Sequence, residues 1–198
     1  MKVLVACEYS GRVRNAFLAL GHDAISCDLL PTDQPGPHYQ GDVRDILGDG
    51  YDLMIGHPEC TYLCNSGVRW LYTEDGRWEK MDKGAAFFNE LQNAPIERIA
   101  LENPVMHGFA REIVGGKATQ TIQPWQFGHA ENKRTGLWLK NLPPLVPTDD
   151  VSAAMKSMTY AEKNKIHYAS PGPDRWKLRS TTYKGIADAM AAQWGGNA

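Results

Sequence analysis

The feature that most constrains this chain is the alternation, through its first half, of short apolar runs with stretches of helical spacing. That pattern suggests an α/β protein, a mostly parallel sheet with helices on both faces. Lys2–Ala6 reads as a strand, and Ser10 stands where it would cap a helix over Gly11–Leu20 that stops at Gly21. Ala24–Cys27 reads as a second strand ending in Asp28, and the proline- and glycine-rich stretch Leu30–Gln40 as a loop leading to Gly41-Asp42. Asp52–Gly56 is the next strand and His57–Gly67 a loop. Arg77–Asn93 has helical spacing, with Met81, Ala85, Phe88 and Leu91 on one side. Arg98–Leu101 is a buried strand running into Glu102-Asn103-Pro104. Gly136–Leu139 is a late strand and Lys184–Trp194 a closing helix. Residues 141–182 show little periodicity and form either an irregular lobe or a mobile loop.

Bulk properties narrow the function classes. With 198 residues, 42% hydrophobic and 22% charged, the chain has the size and balance of one soluble domain. No apolar run approaches the roughly 20 residues needed to span a bilayer, and the start reads as a strand and turn rather than a leader. A protein of a cell interior is the expectation, with no membrane partner. The four cysteines do not suggest a disulfide framework. His57, Cys60 and Cys64 lie close together, but no second Cys/His pair stands at structural-zinc spacing, which disfavours a metal. The net charge of −2 is uneven: residues 151–198 carry seven Lys/Arg against three Asp/Glu. Such a basic end either holds phosphate or forms a solvated face.

Strand, turn and helix followed by an acid ending the next strand is the layout of a nucleotide-binding Rossmann-like half. Asp28 would then accept from ribose hydroxyls, and Asp42 would meet an adenine edge. The turn reads Ser10-Gly11-Arg12-Val13, without the glycine spacing of a pyrophosphate cradle, so a cofactor lacking a pyrophosphate fits better. Further on, Gly56-His57-Pro58-Glu59-Cys60 follows one strand and Glu102-Asn103-Pro104 another. Both strand ends face one rim, where a cysteine and a glutamate can converge on a base. Carbon 5 of cytosine is too poor a nucleophile to take a methyl group unaided. A thiolate added to carbon 6 activates it, provided an acid supports N3.

With these residues in order, the chain resembles the cytosine-C5 DNA methyltransferase family, especially its short bacteriophage members. Tyr9-Ser10-Gly11 resembles the family's first cofactor loop, Asp28 its ribose-binding acid, and Asp42 its adenine-side acid. Pro58-Glu59-Cys60 resembles the Pro-Cys motif, and Glu102-Asn103-Pro104 the Glu-Asn-Val motif. Lys133-Arg134-Thr135 is similar to the basic motif before a late strand, and Tyr183-Lys184-Gly185-Ile186-Ala187 to the motif completing the cofactor pocket. The resemblance implies a Rossmann-like S-adenosylmethionine-dependent methyltransferase fold over a single domain, 1–198, with 61–95 and 141–182 as substrate-recognition insertions. It implies S-adenosyl-L-methionine as cofactor, DNA as partner and the cytoplasm of a bacterial host as location. Catalytic roles fall to Cys60, Glu102, Lys133 and Arg134. Cofactor contacts fall to Glu8, Tyr9, Ser10, Gly11, Asp28, Leu29, Asp42, Pro58 and Gly185.

Three departures qualify the pattern. Glu59 stands where the short relatives carry proline, and a carboxylate beside the nucleophile would raise its thiol pKa. Thr135 replaces an arginine of the Arg-x-Arg motif. A large target-recognition domain is missing, so an accessible or single-stranded cytosine is the favoured target, because extruding a base costs a few kcal/mol. Methylation of a free cytidine nucleotide, and a silent cofactor- or DNA-binding protein, are the alternatives. Trp125 and Trp138 read as core residues, and Trp70, Trp78 and Trp176 as packed aromatics beside basic residues. Monomer and homodimer both stay open.

Overall fold

The computed structural model describes residues 1–172 and 175–196. Its elements in chain order are β1 (Lys2–Ala6), α1 (Arg12–Ala19), β2 (Asp23–Asp28), β3 (His38–Gln40), β4 (Leu53–Gly56) and α2 (Arg77–Gln92). They continue with β5 (Arg98–Pro104), α3 (Gly108–Val114), β6 (Gln120–Ile122) and β7 (Thr135–Lys140), then α4 (Tyr160–Lys163), α5 (Arg175–Ser180) and α6 (Lys184–Trp194). The strands form one seven-stranded sheet in the order β3-β2-β1-β4-β5-β7-β6. Pairing is parallel from β3 to β5, while β7 runs antiparallel to both β5 and β6.

Each face of the sheet carries its own core. Met81, Ala85, Phe88 and Leu91 of α2, with Ala110 and Val114 of α3, pack on one side against Leu4, Met54, Leu101 and Trp138. Val13 and Phe17 of α1 and Ile186, Met190 and Trp194 of α6 pack on the other, against Val3, Val5, Ile55 and Leu137. The helical spacing that places Phe88 in the sequence also sets it edge-on to Trp138, with ring centroids 5.1 Å apart. Truncating a buried ring of this kind costs about 3–5 kcal/mol. Trp138 is a core residue as expected, whereas Trp70, Trp78 and Trp176 are exposed.

The structure corrects several local expectations. Ser10 does not cap α1 through N-cap geometry, because the N-cap is Gly11 in a left-handed conformation (φ 66°). Glu8 does the capping, accepting from the Val13 and Arg14 backbone N–H groups at 2.7 and 3.2 Å. The stretch expected as a loop to Gln40 ends in a strand, β3. Its cause is Arg14, fully buried on α1, whose guanidinium donates to the Gln34, Pro35 and Pro37 carbonyls and to Ser26 Oγ. Those bonds lay the chain beside β2, where Ser26 Oγ meets His38 Nδ1 at 2.9 Å. The loop after His57 closes into a 3-10 segment, Asn65–Tyr72. Within 61–95, α2 buries one face, Met81, Ala85, Phe88 and Leu91, in the sheet. In 141–182 the described residues form short helical turns; residues 173 and 174 lie outside the described residues.

Candidate active site

Strand order reverses between β1 and β4, because β1 leads outward to β2 while β4 leads the other way to β5. In an open α/β sheet ligands bind outside the carboxyl ends of the strands at such a point. The loop Cys7–Gly11 leaves β1 there, and the loop His57–Cys64 leaves β4.

On the β1–β2 side, Asp28 ends β2 partly buried, and one of its oxygens accepts from Leu30 N–H at 3.0 Å. Burial holds its pKa above the ordinary value, against the Leu30 hydrogen bond. Beneath it Cys7 takes a left-handed conformation (φ 58°) rare outside glycine. Burial first, then the charges of Asp28 and Asp42, push its thiol up to about 12. Cys7, Asp28 and Asp42 therefore share one corner, with Leu29 exposed at its edge. Asp42 accepts from the Arg44 backbone at 3.0 Å and from its guanidinium at 3.1 Å, which lowers its pKa. Carboxylates beside an apolar edge suit the hydroxyls of a ribose and an adenine ring.

The remaining cofactor candidates are divided. Both Glu8 oxygens serve α1, and Ser10 Oγ donates to Glu8 at 3.0 Å. Tyr9 is covered by the chain's later part: its hydroxyl meets Lys177 O, Ser180 Oγ and Thr181 Oγ1, and its ring packs on Trp176 at 5.2 Å. Gly11 admits no side chain, since a Cβ would lie 2.3 Å from the Arg14 guanidinium. Gly185 is needed for packing too: a Cβ there would meet Phe127 O at 1.9 Å, and its N–H donates to His129 at 3.0 Å. Pro58 is buried where β4 turns into its loop.

On the β4–β5 side, His57 Nδ1 lies 3.0 Å from Glu102 Oε2 with both side chains mostly buried. Burial works to lower the His57 pKa, but the hydrogen bond and charge of Glu102 outweigh it and leave it raised. Burial works to raise Glu102, and the His57 bond and charge, aided by Lys133, leave it lowered. Both directions describe one ion pair. His57 Nε2 is buried with no partner. His57, considered in the sequence only beside Cys60 and Cys64 for a metal, stands directly after a buried strand and opposite the acid that it pairs with.

Cys60 sits in the same loop, half-buried. Its thiol is pushed up by the hydrogen bond it gives Cys64, then by burial, then by the charges of Cys64 and Glu102, against Lys133. Glu102 thus joins the groups raising it, whereas Glu59, the suspected one, is exposed. Cys64, likewise considered only for a metal, is lowered by the bond from Cys60 and, against burial, by the Ser66 hydroxyl and the Ser66 and Gly67 N–H groups. The Cys64 backbone N–H returns to Cys60 O at 3.0 Å, so one turn holds the two together. That turn is fastened to the end of β5: Asn65 N–H donates to Val105 O at 2.7 Å and His107 N–H to Leu63 O at 3.0 Å. Lys133 and Arg134 diverge. The Lys133 charge reaches His57, Cys60 and Glu102, and its ammonium lies 5.6 Å from the Tyr183 ring. Arg134 is exposed and lines a groove on the α3 side. Among the described residues, no group of three or more His, Cys, Asp or Glu could hold a metal ion.

No protein-family model matches the chain, and no curated protein matches it. Solved structures do. A methyltransferase of Entamoeba histolytica, EhMeth, superposes with a TM-score of 0.51 at 13% identity, covering 76% of this chain and 57% of its own. The fold is that of the Rossmann-like S-adenosylmethionine-dependent methyltransferases. Two further matches have TM-scores of 0.45 at 16% identity. One, from E. coli, is described as a prophage-encoded DNA modification methyltransferase (81% of this chain, 56% of that one). The other is the S. pombe Dnmt2 methyltransferase (88% and 61%). The chain thus spans under two thirds of the length of each. Among the described residues no helix is long and apolar enough to cross a membrane.

Proposed function

We propose that this chain methylates carbon 5 of cytosine in DNA, with Cys60 as covalent nucleophile. The observation that carries the reading is the meeting of Cys60 with the His57–Glu102 pair at the carboxyl rim of the sheet, beside the corner of Asp28 and Asp42. S-adenosylmethionine, when bound at that corner, supplies an electrophilic methyl group.

The chain's own part follows from its proton inventory. Cys60 holds its proton at rest, because its surroundings raise its pKa. Loss of that proton to solvent as the base arrives, favoured by the Lys133 charge, leaves Cys60 a thiolate. The thiolate forms a bond to carbon 6 of the base, and the displaced π electrons move toward N3. Glu102 and His57 hold one proton between them and support N3 as charge gathers there. Carbon 5, now an enamine carbon, takes the methyl group. A base then removes the carbon-5 proton, and the returning electrons expel Cys60. Lys133 adds positive charge that favours thiolate and carboxylate alike.

The test is incubation with cofactor and DNA containing 5-fluorocytosine, read by mass spectrometry of denatured protein. Fluorine cannot leave as a proton, so the expected product is a stable adduct on Cys60 that Cys60→Ser abolishes. No adduct, with cofactor binding intact, would sink the reading in favour of a free cytidine nucleotide or a silent binding protein. Glu59→Pro, if it restored the adduct, would identify silencing.

A further inference from the structure

A cavity lies outside the site built by Cys60, His57 and Glu102. It has a volume of about 180 Å³ and opens between the end of β5, the chain leading from α3 into β6, and the start of β7. Arg111, Lys117 and Arg134 line it, and no aspartate or glutamate does. Among the described residues none of these three cations has a salt-bridge partner, although the chain as a whole is net negative. Its floor includes Trp138, a side chain only 7% exposed whose indole Nε1–H is buried without an acceptor. Thr121 adds a hydroxyl at the rim. Gly136 keeps the floor low: a Cβ there would stand 2.9 Å from Ala118 Cβ and 3.1 Å from the Trp138 ring.

These features select a ligand. Unpaired cations gathered without a counter-charge repel one another. A single anion bearing several acceptor oxygens relieves that repulsion. Typical small-molecule sites occupy about 300–1,000 Å³, so this cavity admits a phosphate group with part of its sugar rather than a whole nucleotide. Its position gives the source. Asn103 pairs with Gly136 and Pro104 with Thr135, so the cavity adjoins the end of the strand that carries Glu102. Lys133, the neighbour of Arg134, instead sends its charge to His57, Cys60 and Glu102.

We infer that this cavity seats a phosphodiester of the strand carrying the target base, held by Arg111, Lys117 and Arg134 over the Trp138 indole. The inference rests on the reading that the substrate is cytosine in DNA, and it names how that substrate's backbone is held. Phosphate contacts of this kind fix register without reading sequence.

The experiment is fluorescence anisotropy of a short labelled single-stranded oligonucleotide with one cytosine, titrated without cofactor across a range of salt. Arg111→Gln, Lys117→Gln and the double variant are compared with the unaltered protein, and Arg134 is left in place because it is also a catalytic candidate. The double variant should bind about tenfold more weakly, roughly the loss of a charge-assisted hydrogen bond. Its slope of log affinity against log salt should flatten by about 0.7, the single-strand value for one phosphate. Cofactor affinity by calorimetry should stay unchanged, and Arg111→Lys should recover most of the loss. A folded double variant with unaltered oligonucleotide affinity and slope overturns the inference. So does unaltered protein that binds deoxycytidine monophosphate as tightly as the oligonucleotide, with both lost together in the variant, because the site then holds a terminal phosphate. The function reading fails separately. Loss of binding in the variant without methyl transfer by the unaltered protein supports the phosphate site and sinks only the methylation. Methyl transfer with no effect of the variants does the reverse.

Discussion

The two sides of the sheet's carboxyl rim treat their polar groups in opposite ways. Around β1 and β2 the chain answers them itself. Glu8 caps α1, Asp42 is held by Arg44, and Tyr9 is tied down by residues 177–181. Among the described residues six side-chain atoms are buried with no partner: His57 Nε2, Asn103 Oδ1 and Trp138 Nε1 around β4, β5 and β7, and Arg77 Nε, Gln92 Oε1 and Arg175 Nε elsewhere. Each such atom costs about 1–3 kcal/mol. Native folds leave few of them, and three of the six stand on the side that carries Cys60 and Glu102. On the other side Asp28 keeps a carboxylate oxygen to offer.

The largest test of that contrast is Glu102→Gln. Loss of a positioned acid costs about 10²–10⁴ in rate, so methyl transfer should fall by that amount while cofactor affinity holds. The same variant carries a pH signature in stability. Glu102 is depressed in the folded protein, so its contribution exists above its ordinary value of about 4.3 and is lost as pH falls through the folded value. His57 is raised, so its contribution is full below about 6.5 and is lost as pH rises through the folded value. The gap in Tm between the two proteins should therefore be widest between about pH 4.5 and 6.5 and narrow on either side. A gap constant from pH 4 to 9 would break the ion-pair assignment.

A smaller effect separates two acids on the finished side. Asp28→Asn should weaken S-adenosylmethionine binding about 10- to 100-fold, the scale of a hydrogen bond to a charged group, with Tm little changed. Glu8→Gln should do the opposite, lowering stability by about 1–2 kcal/mol as a lost helix cap does and leaving cofactor affinity nearly intact. Calorimetry of both variants decides, and interchanged results would make Glu8 a cofactor ligand. The smallest effect is one of order: Cys64, lowered by its hydrogen bonds, should be alkylated by iodoacetamide at lower pH than Cys60. Peptide mapping across pH 5–9 reads this directly. Alkylation of Cys60 first would break the assignment of Cys64 as the more readily ionised thiol.

The sequence by itself determined the parallel core, because strands buried on both faces must be continuously apolar and helices on a sheet must repeat an apolar face. Lys2–Ala6, Arg77–Gln92 and Lys184–Trp194 were legible for that reason, and so was the placement of Cys60 and Glu102 after such runs. Elements without a period were not legible. The strand His38–Gln40 exists because a buried arginine far from it in sequence grips the preceding turn, and Gln120–Ile122 exists because β7 offers it an edge. Three things belonged to tertiary structure alone: the pairing of His57 with Glu102, the turn that holds Cys64 against Cys60, and the parting of Lys133 from Arg134. Each depends on which groups meet across strands or around a turn, and on how much water is excluded when they do. Neither is written in the spacing of residues along the chain.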